Sequence, residues 1–292
     1  MNEHSKNLIY IHLSIFLFGF SALFARLIDQ HSVVITFGRV FFSSLFLFAL
    51  IKCSKSDLKF HTKKDFLLII CSGIILAVHW FCFFASIQLS TIAIGTITFS
   101  TFPIFVSIIE PVVFRERIEI RIVICSVIML LGILIITPIN NSQESIQKII
   151  GIITGLASGL SYAVLSLLNR NFSVKYKSEI IVFYEQAIAA VVLLPFMFVF
   201  KPIVALRDVL LLAIFGIIFT AIAHGLFVKG LRYVKVSTAG IISGLEAVYA
   251  IVLASFLLKE TPVMHEVIGG LIVVVLAGYV TLSKNLKKEN TK

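Results

Sequence analysis

Residues 101–117 read "TFPIFVSIIEPVVFRER" and residues 245–261 read "LEAVYAIVLASFLLKET". The two stretches stand 144 positions apart, and each runs through apolar residues into a basic-acidic doublet, Arg115-Glu116 and Lys259-Glu260. A shift of 146 lays "ITFGRVFFSSLFLF" (35–48) over "IVFYEQAIAAVVLL" (181–194), and a shift of 140 lays Gly19 over Gly159. Matches in the same order at a similar offset make the chain a tandem of two related units.

Composition says what solvent these units meet. The 292 residues are 59% hydrophobic and 14% charged, with 27 Phe and one Trp, and the mean hydropathy is +1.05. A soluble domain is about 45–50% apolar and about 25% charged. Most of this chain is therefore solvated by hydrocarbon. A spanning helix needs about 20 apolar residues, and that ruler finds ten: α1 (8–26), α2 (33–51), α3 (66–89), α4 (92–114), α5 (118–137), α6 (149–168), α7 (180–200), α8 (209–231), α9 (236–258) and α10 (263–283). The first segment is longer than a signal-peptide core and many like it follow, so it reads as a retained span. The longest connection, "PINNSQESIQK" (138–148), splits the chain into a first repeat at 8–137 and a second at 149–283. Five spans per repeat is an odd number, so the second unit enters the bilayer from the opposite side. Inverted repeats of this kind are a design of secondary transporters.

The net charge of +10 does not point to nucleic acid, because Lys and Arg lie in short runs between apolar segments and not on one folded face. With the N-terminus in the cytoplasm, nineteen Lys and Arg lie inside and five outside, Arg39 being intramembrane. That bias places both termini in the cytoplasm of a cell-membrane protein. Cys53, Cys71, Cys82 and Cys125 show no paired spacing, which argues against disulfides and metal. No cofactor or metal motif stands out.

At this point the chain resembles the drug/metabolite transporter superfamily, in its form with two EamA-type repeats. The resemblance rests on "GRVFFSSLFLF" in α2, "FPIFVSIIEPVVFRERI" in α4, "GLSYAVLSLLNRNF" in α6 and "SGLEAVYAIVLASFLLKETP" in α9. Where family members commonly carry Glu-Pro, this chain has Glu246-Ala247. The resemblance implies a ten-helix exporter or exchanger of small metabolites such as amino acids.

Ionisable residues inside the bilayer are functional candidates by default, since hydrocarbon penalises their charge. Glu246 stands in mid-α9 among Gly240, Ser243 and Gly244, with Tyr249 about one turn later. Its carboxylate suits a substrate amine or a coupling proton, the alternative being a fixed ion pair with Arg39. Arg39 matches a substrate carboxylate or snorkels outward. Trp80 offers a stacking face, with packing as its alternative; His79 and His224 are candidates for shuttling protons, with a hydrogen-bonded structural role as theirs. Thr96, Ser100, Pro103, Ser107 and Glu110 share one face of α4, a polar stripe that either lines a cavity or bonds back to its own helix. Glu110 is a further proton-coupling candidate, whereas basic loops near Glu110 and Glu185 favour ordinary ion pairs there. Gly151, Gly155 and Gly159, four apart, form a close-packing face on α6.

The function these residues predict is a secondary transporter of a small polar or amphipathic metabolite, working by alternating access. Protons or a counter-transported solute supply the drive, and a homodimer is compatible with it. The alternative within the class is a nucleoside, nucleotide-sugar or S-adenosylmethionine-type exchanger. A membrane enzyme acting on lipids is disfavoured by the absence of a G-x-S-x-G motif or an acidic cluster.

Overall fold

The computed structural model describes residues 3–115 and 143–259, with scattered positions in 120–131 and 264–276. The expected α5 and α10 therefore fall largely outside the described residues. Among those described, eight helices are long and apolar enough to span a bilayer: Glu3–Leu27, Ser32–Cys53, Lys63–Leu89, Ile92–Phe114, Ile146–Ser173, Ser178–Phe200, Leu206–Gly230 and Val236–Leu257. These are α1–α4 and α6–α9. Large apolar side chains cover the outside, with Val112 77%, Phe198 72% and Phe256 82% exposed. A soluble monomer does not carry such a surface. The chain is an all-α integral membrane protein.

The interruptions follow the repeat. In α4 the helix runs Ile92–Phe99 and Phe102–Phe114; in α9 it runs Val236–Ser243 and Leu245–Leu257. Pro103 cannot donate to the carbonyl of Phe99, and Gly244 supplies the second break through its loose backbone. The expected Glu-Pro is thus not needed for an interrupted α9. Lengths and positions match at the offset of 144. Non-glycine residues rarely adopt positive φ, yet Arg115 (52°) and Lys259 (58°) both do so, at the ends of α4 and α9. Lys55 (51°) and Lys201 (41°) do the same at the ends of α2 and α7, related by the offset of 146.

Packing repeats this relation. α3 packs on α6 as α8 packs on α1; α4 meets α6 as α9 meets α1; and α2 pairs with α7. The first half of α4 lies on the second half of α9, and the second half of α4 on the first half of α9, so the two helices cross antiparallel. Loops gather at two ends. At the basic end, Lys177 reaches Ser56 (3.0 Å), the Tyr184 hydroxyl donates to the Leu58 carbonyl (2.9 Å) and His4 lies by the Tyr233 carbonyl (3.0 Å). At the opposite end, Arg26 donates to the Ser90 carbonyl (2.8 Å) and Gln30 to the Ile203 carbonyl (3.0 Å).

Candidate functional site

The spans converge on an aromatic centre. On α3, Val78 faces outward, 48% exposed, while the next two residues, His79 and Trp80, are buried. The Nδ1 of His79 lies 2.9 Å from the Ser158 hydroxyl and 3.1 Å from its carbonyl, which ties α3 to α6. One helical turn along α6, the ring of Tyr162 packs on His79 at 4.6 Å and on Phe99 and Phe102 of α4. Glu246 enters from the first turn after the Gly244 break, 4% exposed. Together Phe18, His79, Trp80, Phe83, Phe99, Tyr162 and Glu246 line a small cavity whose free volume of about 10 Å³ is roughly that of one water. A carboxylate, an imidazole and a phenol thus face one apolar enclosure drawn from α1, α3, α4, α6 and α9.

Trp80 separates this cavity from Arg39. The guanidinium lies 3.4 Å from the Trp80 ring centre and 4.1 Å from that of Phe215, and the residue is fully buried. Its Nε donates to the Thr220 hydroxyl at 2.9 Å, which in turn donates to the Phe215 carbonyl five residues back. The backbone there is a π-helical turn, Ile217–Ile222, a distortion found mostly where a helix does something besides span. Arg39 Nη1 and Trp80 Nε1 are buried without hydrogen-bond partners among the described residues. Arg39 does not snorkel and, among the described residues, does not form the contact ion pair with Glu246 that stood as the alternative. The ion pairs among the described residues lie elsewhere, although Arg39 is the opposite charge acting on Glu246.

Other predicted residues lie apart from the cavity or are already engaged. Tyr249 is half-buried against Phe16 (5.5 Å, edge to face) and Gly19, an α1 contact and not part of the cavity lining. Thr96 and Ser100 donate to the carbonyls of Ile92 and Thr96, Ser243 to that of Ala239 and Ser107 to that of Ile104. The α4 stripe thus follows the back-bonding alternative. Glu110 is engaged in an ion pair, the kind of contact its basic surroundings favoured. Its carboxylate takes Arg170 Nη1 (2.7 Å) and the backbone N–H of Val236 and Ser237 (2.9 and 3.0 Å), closing the N-terminus of α9. The expectation of a loop ion pair for Glu185 is corrected. Its Oε2 lies 3.1 Å from Nε2 of His224, and both residues are fully buried. Among the described residues no group of three His, Cys, Asp or Glu could hold a metal.

Sequence reading missed Ser158, Tyr162, Ser166 and Asn169. Their spacing of four, four and three was the available signal, since it places all four on one face of α6. It also missed Thr220 and Arg170, whose roles arise from distant partners.

The comparisons agree with this architecture. A solved crystal structure aligns with TM-score 0.75 at 16% identity, covering 95% of this chain and 98% of its own, a likeness of fold. An uncharacterised transporter of Archaeoglobus fulgidus is 29% identical over 92% of this chain and 93% of its own length. The uncharacterised transporter YxxF of Bacillus subtilis is 25% identical over 99% of this chain and 93% of its own. The model of the EamA-like transporter family matches residues 5–137 and again 149–283. Two matches covering nearly the whole chain, on a helical bundle built from two related halves, mean that this protein belongs to the EamA-like transporter family.

Proposed function

We propose that the protein is a secondary transporter of a small amphipathic metabolite bearing an amine, an amino acid being the model case, and that the cavity at Glu246 is its binding site. The observation that carries the reading is Glu246, a carboxylate outside the contact ion pairs among the described residues, facing an enclosure of His79, Trp80, Phe83, Phe99 and Tyr162. A bare carboxylate attracts a substrate ammonium, and the rings receive an apolar side chain. The structure is then an occluded state, since so small a cavity opens only if the helices around it part. Two repeats, 8–137 and 149–283, rocking about the antiparallel crossing of α4 and α9 would expose the site to each side in turn. Protons or an exchanged solute provide the drive, and the basic end faces the cytoplasm of the cell membrane.

Uptake of a set of labelled amino acids and nucleosides into proteoliposomes tests this. The wild type should accumulate or exchange at least one amino acid. Glu246→Gln should fold, melt within a few degrees of wild type and lose that flux at least about tenfold, the loss of a charge-assisted contact worth about 1.5–3 kcal/mol. Selective flux of nucleosides would favour the exchanger reading, and full activity in Glu246→Gln would remove Glu246 from the site.

A further inference from the structure

A second polar centre lies outside the cavity, where α6, α7 and α8 meet. The Oε2 of Glu185 and Nε2 of His224 stand 3.1 Å apart, and Asn169 Nδ2 lies 3.5 Å from each. Glu185 and His224 are 0% exposed and Asn169 is 1%. The group is nevertheless unfinished. Among the described residues, Glu185 Oε1, His224 Nδ1 and Asn169 Oδ1 are all buried without a hydrogen-bond partner. A buried ionic group retained only for stability tends to have its lone pairs and protons satisfied. Three open positions around one titratable pair point to a centre whose hydrogen bonding changes during the working cycle.

The same face of α6 connects this centre to the cavity. Asn169, Ser166, Tyr162 and Ser158 follow one another at helical spacing, and Ser158 holds His79 at the cavity wall. The hydroxyls of Tyr162 and Ser166 are themselves buried and adjoin each other. A line of hydroxyl and amide groups, each able to donate and accept, thus runs between the Glu185–His224 pair and the cavity that Glu246 faces.

We infer that Glu185 and His224 form the proton-binding site of the transporter, coupled to the cavity through Asn169, Ser166 and Tyr162. This rests on the transport reading above. In the proton-free state the pair is carboxylate and neutral imidazole, net charge −1. Uptake of one proton at the imidazole gives carboxylate and imidazolium, net charge 0, with one N–H bond formed and none broken in the protein. Among the described residues, the other titratable groups on the elements packed around the pair are few. Arg39 comes from α2, His79 from α3, Tyr162 from α6 and Glu246 from α9; α1, packed on α8, brings the part-buried His12. Asp65 is held by Lys175 and Tyr176, and Lys229 lies over Tyr10. Of these, His79 is the group that His224 acts on and Tyr162 the one that Glu185 acts on.

Infrared difference spectra of the full chain in lipid, titrated between about pH 5 and pH 8, test the site with the proton itself as probe. The wild type should show a pH-dependent carboxyl or carboxylate signal that is lost in Glu185→Gln, and whose midpoint moves by about one unit or more in His224→Gln. A spectrum with no such signal, or one identical in both variants, overturns the inference. Should Glu185→Gln fail to fold, the midpoint in His224→Gln decides. Coupling is read with labelled amino acids in the same vesicles. Glu185→Gln should lose pH-gradient-driven accumulation at least about tenfold and keep counterflow; undiminished accumulation overturns the coupling. If the wild type ignores every labelled amino acid, the substrate reading fails while the infrared titration still judges the proton site.

Discussion

Arg39 shows how one charge is kept in hydrocarbon without a carboxylate in contact. An isolated cation at mid-membrane costs about 2.5–3.5 kcal/mol even on the mildest scale. Here the ring faces of Trp80 and Phe215 and the Thr220 hydroxyl replace water. A desolvated cation–π contact is worth about 2 kcal/mol, so Trp80→Leu should lower the melting temperature of the detergent-solubilised protein clearly. Trp80→Phe, which keeps a π face, should lower it less. Equal losses in the two would mean that Trp80 acts by volume alone. Arg39, His79, Trp80 and Glu246 were legible in the sequence because such residue types are rare in spanning helices, and each stands out singly. Tyr162, Ser166 and Asn169 were not, because hydroxyls and amides are common there and only their alignment against Glu185 and His224 distinguishes them. Glu185 itself was read toward the basic loops, a judgement from linear position that cannot see which face of α7 turns inward.

At the scale of the element, close approach decides more than propensity. A Cβ on Gly216 would lie 2.7 Å from the Arg39 carbonyl and 2.7 Å from Cβ of Phe42, against backbone that cannot rotate away. Gly216→Ala should therefore push α8 off α2, cost about 1–3 kcal/mol and disturb the Arg39–Thr220 contact; a thermal melt indistinguishable from wild type would refute that packing. Gly225, where an added Cβ meets nothing within 4 Å, is the matched control. The Glu110 latch is the other element-level device. It satisfies two N–H groups that a helix start leaves without intrahelical partners, while Arg170 neutralises its charge. Glu110→Gln should weaken these charge-assisted bonds, together worth about 1.5–3 kcal/mol, and free the start of α9. In a Ser237→Cys background, which is buried at 4%, thiol labelling should then quicken severalfold. Helix ends in the apolar runs were legible to within about six residues, the widest gap being Gln143 against the expected 149. The latch was not, because it joins residues 126 and 127 positions apart through backbone groups that carry no sequence signature.

Across the whole molecule, the two repeats share a backbone plan but not side chains, and that difference gives the ends unequal closures. By the offset of 144, Glu110 corresponds to Ala254 and Arg170 to Arg26. The basic end is thus pinned by a carboxylate that takes three donors, while at the opposite end alanine occupies the corresponding position. The asymmetry turns orientation into a functional question, since it determines which side of the membrane meets the pinned mouth. The charge bias gives the expectation that the pinned end is cytoplasmic. Cys53, exposed at the basic end, and Ile203, 93% exposed in the loop at the other, allow a direct measurement. In a chain whose remaining cysteines are replaced by serine, a membrane-impermeant maleimide applied to intact cells should label Ile203→Cys at once. Cys53 should react only after the membrane is permeabilised. The reverse pattern would turn the protein over in the bilayer and move the Glu110 latch to the outer mouth. Labelling at both sites in intact cells would mean a mixed population, for which one fixed assignment of inner and outer gates fails.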